Sequence, residues 1–241
     1  MISVILNVYK RPHMLERQIE SILDQTILVI PTDIHVWYNQ SETDQPNPKD
    51  VRIKTYRCNW NTKFFGRFTL PALCRNEYIA ILDDDILPGE RWFENCLNVI
   101  NTEATNGILG GAGVTLLSKN TWNKVGWNGE HSEKSERVDY VGQSWFFRKQ
   151  WSQYMWYEEP YSWDNGEDIM YSYLSQKYGG INTFVPPHPE GDKALWSTSS
   201  DVSMSVGRDR NASWRAAGHH TVRNAAYAHC MDNGWKTVNN L

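Results

Sequence analysis

The stretch Glu77-Tyr78-Ile79-Ala80-Ile81-Leu82-Asp83-Asp84-Asp85 decides the fold. Its apolar residues form a short run of the kind that a sheet buries on both faces. Three carboxylates follow without a break. Adjacent carboxylates repel one another, more strongly as the local dielectric falls, so the fold gains nothing from them. A divalent cation removes the conflict, because hard oxygen ligands suit Mg2+ or Mn2+. With strand alternation carried past Leu82, Asp83 and Asp85 point to one side and Asp84 to the other. Two carboxylates are then offered to one ligand. Open α/β sheets bind ligands beyond the carboxyl ends of their strands, and the triplet stands at such an end. The competing reading is a solvated acidic turn.

Outward from this strand the chain alternates between the two periodicities. Residues 2–8 are a β-branched apolar run and read as a buried strand. Pro12 suits the first turn of a helix. Leu15, Ile19, Ile22 and Leu23 then recur along one helical face, with Glu16, Arg17 and Glu20 on the other. Residues 33–39 and 51–56 read as strands, separated by a Pro- and Asn-containing loop at 40–50. Beyond the acidic triplet, Phe93, Leu97 and Ile100 mark a second amphipathic helix. Gly110, Gly111 and Gly113, within 107–118, read as a glycine-rich turn leading into a strand at 114–117. Residues 122–137 are polar and read as a surface excursion. Strands are expected at 138–141 and 144–147, a helix at 168–178 ended by Gly179-Gly180, and a strand at 181–185 stopped by Pro186-Pro187. Val222, Ala225, Ala226, His229 and Cys230 suggest a closing helix. Strand–helix alternation of this kind predicts an α/β fold with a mostly parallel central sheet and flanking helices. No repeat or linker interrupts it, so one domain over 1–241 is expected.

Composition narrows the function classes. The 241 residues carry 24 Lys plus Arg and 28 Asp plus Glu, a net charge of −4. That balance argues against a general nucleic-acid binder, which needs a basic face. The four cysteines fit neither a zinc ribbon nor a disulfide framework, and read as scattered thiols of a reducing compartment. No apolar run reaches the ~20 residues of a membrane helix, and the first residues lack the features of a signal peptide. The expectation is a soluble, cytoplasmic protein. The aromatic load, 12 Trp, 12 Tyr and 7 Phe, suits either an aromatic core or a ligand with apolar faces, such as a sugar.

Two further clusters carry chemistry. Gly166-Glu167-Asp168 opens a helix, where acidic residues are favoured by the macrodipole. The preceding residues hold Trp145, Phe146, Phe147, Trp151, Tyr154, Trp156, Tyr157, Tyr161 and Trp163. A carboxylate beside an aromatic groove suits a sugar hydroxyl that must be positioned and deprotonated. In Pro186-Pro187-His188-Pro189, a stiff loop holds a His that can add a nitrogen to a carboxylate-bound metal, with Lys193 nearby for a phosphate. His219-His220 is a competing ligand candidate.

In this order, these pieces resemble the nucleotide-sugar-dependent glycosyltransferases of the GT-A type. Residues 4–12 with the following helix resemble the family's opening strand and nucleotide-binding turn. Asp83-Asp84-Asp85 resembles its D-x-D element, Gly166-Glu167-Asp168 its acceptor-side acidic motif, and His188 the metal ligand that its C-terminal loop returns. The opening is similar to the large inverting synthase-like family. Val36-Trp37-Tyr38-Asn39, Gly66-Arg67-Phe68 and Glu167-Asp168-Ile169 are similar to the exostosin-like retaining transferases. The resemblance implies a single Rossmann-like domain with a nucleotide-sugar half (1–110), an acceptor half (111–200) and a C-terminal helical segment (201–241). It implies transfer of a sugar from a UDP- or GDP-type donor to a glycan hydroxyl, assisted by Mn2+ or Mg2+. In that scheme Asp83, Asp85 and His188 hold the metal. Val8, Tyr9, Arg11 and Asn39 hold the base and ribose, with Asp83 and Asp84 also at the donor. Arg67 and Lys193 face the diphosphate, Asp168 acts on the acceptor hydroxyl, and the glycan stacks on the aromatics of 145–163. Two other classes compete: a carbohydrate-binding module with a structural Ca2+, and a glycoside hydrolase working with Asp85 and Asp168.

Overall fold

The computed structural model describes residues 1–27, 31, 33–40, 46–102, 106–118, 121–127 and 129–240. Part of the loop expected at 40–50 therefore lies outside the described residues. β1 (Ile2–Val8) leads through a 3-10 turn opened by Pro12 into α1 (Leu15–Leu23). β2 (Asp33–Tyr38), β3 (Ile53–Arg57) and β4 (Tyr78–Leu82) follow, then α2 (Trp92–Ile100). β1 lies between β2 and β4, with Val4 opposite both Ile34 and Ala80, and β3 lies outside β2. These four strands are parallel, so the carboxyl ends of β1 and β4 open on the same edge. Ile5, Leu6, Ile79, Ile81 and Leu82 are fully buried. Each such side chain contributes ~1.5–3 kcal/mol to holding that edge in place.

The second half adds β5 (Ile108–Ser118), β6 (Thr121–Val125), β7 (Glu136–Val138), β8 (Tyr140–Arg148), α3 (Glu167–Gly179), β9 (Thr183–Val185), α4 (Asp201–Val206) and α5 (His219–Asp232). All nine described strands join one sheet in the order β3-β2-β1-β4-β8-β5-β9-β7, with β6 paired to β5. β8 enters antiparallel between β4 and β5. The architecture is a single mixed α/β domain built on one central sheet, as expected, with the parallel strands β3, β2, β1 and β4 forming one side of it and β8 opening the mixed remainder.

Three local expectations are corrected. The glycines of 110–113 do not make a turn; they lie inside β5. A side chain at Gly110 would collide with Val141, one at Gly111 with Ser197 and one at Gly113 with Val138 and Val185. Their role is close approach of neighbouring elements. Residues 122–137 are not all excursion, because β6 pairs antiparallel with β5. The two strands expected at 138–147 are divided differently: β7 ends at Val138 and β8 runs continuously past Gly142 and Gln143. Gln143 has a positive φ of 67°, and the β5–β8 register shifts close by, between Gly110 and Ala112, the mark of a bulge.

α3 is buried along Glu167–Ser175, so its sequence shows little amphipathic pattern. It packs against α5 through Ile169, Met170, Tyr173 and Leu174, which meet Ala226, Tyr227 and Cys230. The four cysteines are free and none lies in a ligand pair of its own kind. Asp33, His35 and Cys74 converge at the amino end of β2. There Lys54 donates to Asp33 at 2.5 Å and Ser3 at 2.6 Å, so the buried charge is already matched. Among the described residues, no helix is long and apolar enough to cross a membrane.

Candidate functional site

A cavity of about 1080 Å³ opens beyond the carboxyl ends of β1 and β4. Asn7, Tyr9 and Arg11 reach it from β1, and Asp83, Asp84 and Asp85 from β4. Strand alternation does not persist into the triplet. β4 stops at Leu82, and a turn follows in which the Ile86 amide donates to the Asp83 carbonyl at 3.1 Å. Gln18, a buried polar residue of α1, clamps this turn by donating to the carbonyls of Asp83 (2.7 Å) and Ile86 (3.0 Å). The three carboxylates consequently fan apart. Asp83 pairs with Arg67. Asp84 accepts from Arg11 at 2.5 Å and is buried. Asp85 lies 3.4 Å from Arg11, its backbone carbonyl taken by the Ser203 hydroxyl. Burial pushes the Asp85 carboxyl up to about 6, helped by the charge of Asp84 and opposed by Arg11. Burial also raises Asp84, against the pull of Arg11.

Arg11 and Arg67 are less free than the sequence implied. Arg11 is buried and holds Asp209 with two further bonds of 3.1 and 2.8 Å, while donating to the Val206 carbonyl at 3.1 Å. It ties the C-terminal segment to the acidic turn, an engagement that competes with its expected contact to base and ribose. Arg67 is buried between Asp83 and Glu167, 3.0 Å from the latter, with its guanidinium 4.6 Å from the centre of the Trp145 ring. It lines the cavity, but its charge is shared by two carboxylates before any phosphate arrives.

Asn39 lines the cavity, yet its amide is committed inside the protein. It donates to Asn61 (2.9 Å) and the Lys63 carbonyl (3.1 Å), and accepts from the Thr62 amide (2.8 Å). Asn61 in turn donates to the Tyr9 hydroxyl at 2.9 Å. Asn39 thus builds the wall that Asn61, Lys63 and Tyr9 present. Val8 is buried in the core and lies outside the lining. Lys193 is outside it too: it is half exposed and stands 3.8 Å from Asp201, in a turn whose Ala194 and Leu195 carbonyls accept from Arg91 and Asn95 at the start of α2.

His188 lies in the lining, buried rather than exposed on its loop. Its backbone exchanges two hydrogen bonds with Ser132. Its ring stacks on Trp196 and His131 at centroid distances of 4.3 and 5.3 Å. Burial, with His131 alongside, lowers its pKa to about 4, so the ring is neutral at pH 7. Its Nε2 has no hydrogen-bond partner, which is costly for a buried polar atom. A carboxylate oxygen from Asp85 and a neutral imidazole nitrogen are a donor set that suits a Mn2+-like cation. The chemistry of these donors fits a divalent metal, and they line one cavity, but among the described residues the ligand atoms of Asp83, Asp85 and His188 do not gather into one cluster.

At the start of α3 the acidic pair divides. Glu167 faces Arg67. Asp168 faces Arg223, which donates to both its oxygens at 2.9 and 2.7 Å and to Asn165 at 3.2 Å. Asn165 and His219, which are 2.8 Å apart, form the cavity wall in front. Asp168 therefore sits one layer behind that wall. His219, the competing metal candidate, lines the cavity with its Nδ1 held by Asn165. The aromatic groove expected over 145–163 is not one surface. Trp145, Phe146, Phe147 and Trp151 belong to the core, while Trp156, Tyr157, Tyr161 and Trp163 are exposed. Besides Tyr9, the aromatic residues lining the cavity are instead Phe64, Trp127 and Trp214. Nothing local in the sequence marks them, nor Asn61, Lys63 or Lys124.

Burial, followed by the charge of Asp168, pushes Glu167 up to about 7, against the attraction of Arg67. A carboxyl with a raised folded-state pKa keeps a proton that the unfolded chain releases, so stability falls as pH rises between about 4.5 and about 7. Asp85 acts in the same direction. Glu167→Gln is expected to flatten this slope, as read by urea unfolding at several pH values across that window. An unchanged slope would remove Glu167 from the pH dependence.

A family model for glycosyl transferase family 2 matches residues 3–156, well over half of the chain. Among solved structures, one of GalNAc-T7 with UDP, GalNAc and Mn2+ superposes with a TM-score of 0.63 at 13% sequence identity. It covers 86% of this chain and 48% of that one, so the chain spans about half that protein's length. At this identity the likeness is one of fold, and the fold is the GT-A type. No curated relative matches in sequence.

Proposed function

Because the chain belongs to glycosyl transferase family 2, we propose that it moves a sugar from a nucleoside diphosphate to a glycan hydroxyl with the help of a divalent metal. The observation that carries this reading is the acidic turn at 83–85, set at the carboxyl edge of a parallel sheet and opening on a cavity large enough for a nucleotide sugar. The UDP and Mn2+ bound by the structurally similar GalNAc-T7 support it, and favour UDP and Mn2+ as the first donor and metal to try. A carbohydrate-binding module or a glycoside hydrolase does not follow from membership of this family.

Each residue then has a task. Asp85 and His188 hold the metal, with Asp83 adding its carboxylate if Arg67 turns toward the diphosphate. When bound, the cation supplies positive charge to the diphosphate leaving group. Asp84 keeps Arg11 and the C-terminal segment in register. Tyr9 and Asn61 present hydroxyl and amide groups to the nucleoside, on the wall that Asn39 braces. Asp168 acts on the acceptor hydroxyl, once Arg223 gives up one of the two oxygens that it holds. The donor half falls in residues 1–110 and the acceptor half in 111–200. Residues 201–219 are shared between them, since this segment lines the cavity from Ser203 to His219.

A thermal-shift screen over nucleoside diphosphates, with and without Mn2+, tests the reading. Binding to the folded state raises the melting point by mass action. A shift that appears only with nucleotide and metal together is expected; none with any nucleotide would overturn the proposal. In the same assay His188→Ala is expected to weaken Mn2+-dependent nucleotide binding by about tenfold or more, the least that disturbing a metal's surroundings costs. Wild-type affinity in this variant would take His188 out of the ligand set.

A further inference from the structure

The charge of the cavity is at odds with the rest of the molecule. Eight cationic and four anionic side chains line it, a net of +4, in a chain of net charge −4. Asp209 and Glu167 stand behind the wall, paired with Arg11 and Arg67. Counting both, the site is still +2 and the remaining residues carry −6. The six other cations are Lys10, Lys63, Lys124, Arg208, Arg210 and Arg215. Lys63 faces Asp164 at 3.4 Å, and Arg215 donates to the uncharged carbonyl of Arg208 at 3.0 Å. Among the described residues, no carboxylate lies within ion-pair distance of Lys10, Lys124, Arg208 or Arg210.

The donor does not account for this excess. The donor, a nucleoside diphosphate sugar with one charge on each phosphate, is close to neutral in sum when bridged to a divalent cation. Position separates the cations as well. Lys10 and Lys63 lie beside Tyr9 and Asn61, at the β1–β2 end of the cavity. Lys124 comes from β6, at the other end of the sheet, with its ammonium 5.4 Å from the centre of the Trp127 ring. Arg208 and Arg210 belong to the segment between α4 and α5 that closes over the cavity. An aromatic face beside a cation suits a sugar ring carrying a negative group.

Resting on the transferase reading above, we propose that the acceptor bears an anionic group, a carboxylate or phosphate on the sugar that is extended, and that Lys124 and Arg210 receive it. The charge must be confined to what the cavity encloses. A long polyanion such as a nucleic acid needs a continuous basic face, and the residues outside the cavity, at −6, repel one.

Calorimetry on the protein saturated with Mn2+ and UDP, or whichever diphosphate the thermal screen selects, tests this with four probes. These are methyl glucuronoside, inorganic phosphate, neutral methyl glucoside and a short DNA duplex. Both small anions are expected to bind about tenfold or more tightly than the glucoside, the scale of one hydrogen bond to a charged group. Lys124→Ala combined with Arg210→Ala is expected to erase that advantage, and added salt to reduce it. A bound glucuronoside but not phosphate assigns the site to carboxylated sugars; the converse assigns it to phosphorylated ones. No advantage of either anion over the glucoside overturns the proposal, as does a duplex that binds more tightly than both. Nucleotide binding is measured on the same sample. Its loss would sink the transferase reading, whereas intact nucleotide binding without anion preference sinks this inference alone.

Discussion

Asp85→Asn is expected to lower transfer by about two to three orders of magnitude, the loss typical of removing one electrostatic contact to a developing charge, while the protein still folds. The substitution keeps the shape and deletes the charge. Of the three carboxylates, Asp85 is the one least committed to the protein: Asp83 is paired with Arg67 and Asp84 with Arg11, while Arg11 stands 3.4 Å from Asp85. Removing its charge also relieves the repulsion from Asp84 that helps to raise its pKa, so the variant is expected to be at least as stable as the parent. Stability and activity therefore move apart, which a purely structural role does not produce. The Mn2+ dependence of nucleotide binding is expected to disappear in the same variant. In the parent, Mn2+ affinity is expected to fall as pH drops below about 6, because protons then compete for Asp85. Full activity of Asp85→Asn, or of the parent in EDTA, would end the metal assignment.

The elements that set this site were legible where one strand or helix carries its own pattern. β1 and β4 are apolar runs buried on both faces, and their shortness and β-branched content favour a strand over a buried helix. The acidic turn was legible because charge repulsion needs a reason. What stayed hidden are contacts that close over long separations. Arg11 meets Asp209 from 198 residues away, and no spacing rule connects them, so Arg11 read as a nucleotide contact. Lys124 and Trp127 stand at the cavity because β6 folds back on β5. Their segment has the polarity of a loop. The glycines of β5 misled for a physical reason: glycine marks both a turn and a close approach, and only the positions of Val141 and Ser197 decide between them. The aromatic run at 145–163 misled similarly. β8 turns Trp145 and Phe147 into the core, although hydrophobic content alone suits a groove equally well.

Asp168→Asn is expected to cut turnover by about two to four orders of magnitude, the range associated with loss of a general base, with nucleotide affinity little changed. The geometry makes this a demanding test. Both oxygens of Asp168 accept from Arg223, and Oδ1 also accepts from the Ile169 amide at the helix start. As a helix cap alone, Asn would replace it at little cost. As the partner of a buried arginine, its loss is expected to destabilise the protein by ~3–5 kcal/mol, since a charge is left uncompensated. That destabilisation lowers the amount of folded enzyme and leaves the turnover of each folded molecule intact, so turnover must be normalised to the folded fraction. Glu167→Gln is the control. Glu167 stands next in sequence but faces Arg67 and the acidic turn, whereas Asp168 faces Arg223, Asn165 and the opposite wall. If Asp168 serves the acceptor, its variant loses turnover more severely than Glu167→Gln. Near-parental turnover per folded molecule in Asp168→Asn would end the assignment to Asp168, and a deeper loss in Glu167→Gln would transfer the role to Glu167. That carboxyl, held near 7 by burial, would then be the one poised to exchange a proton at neutral pH.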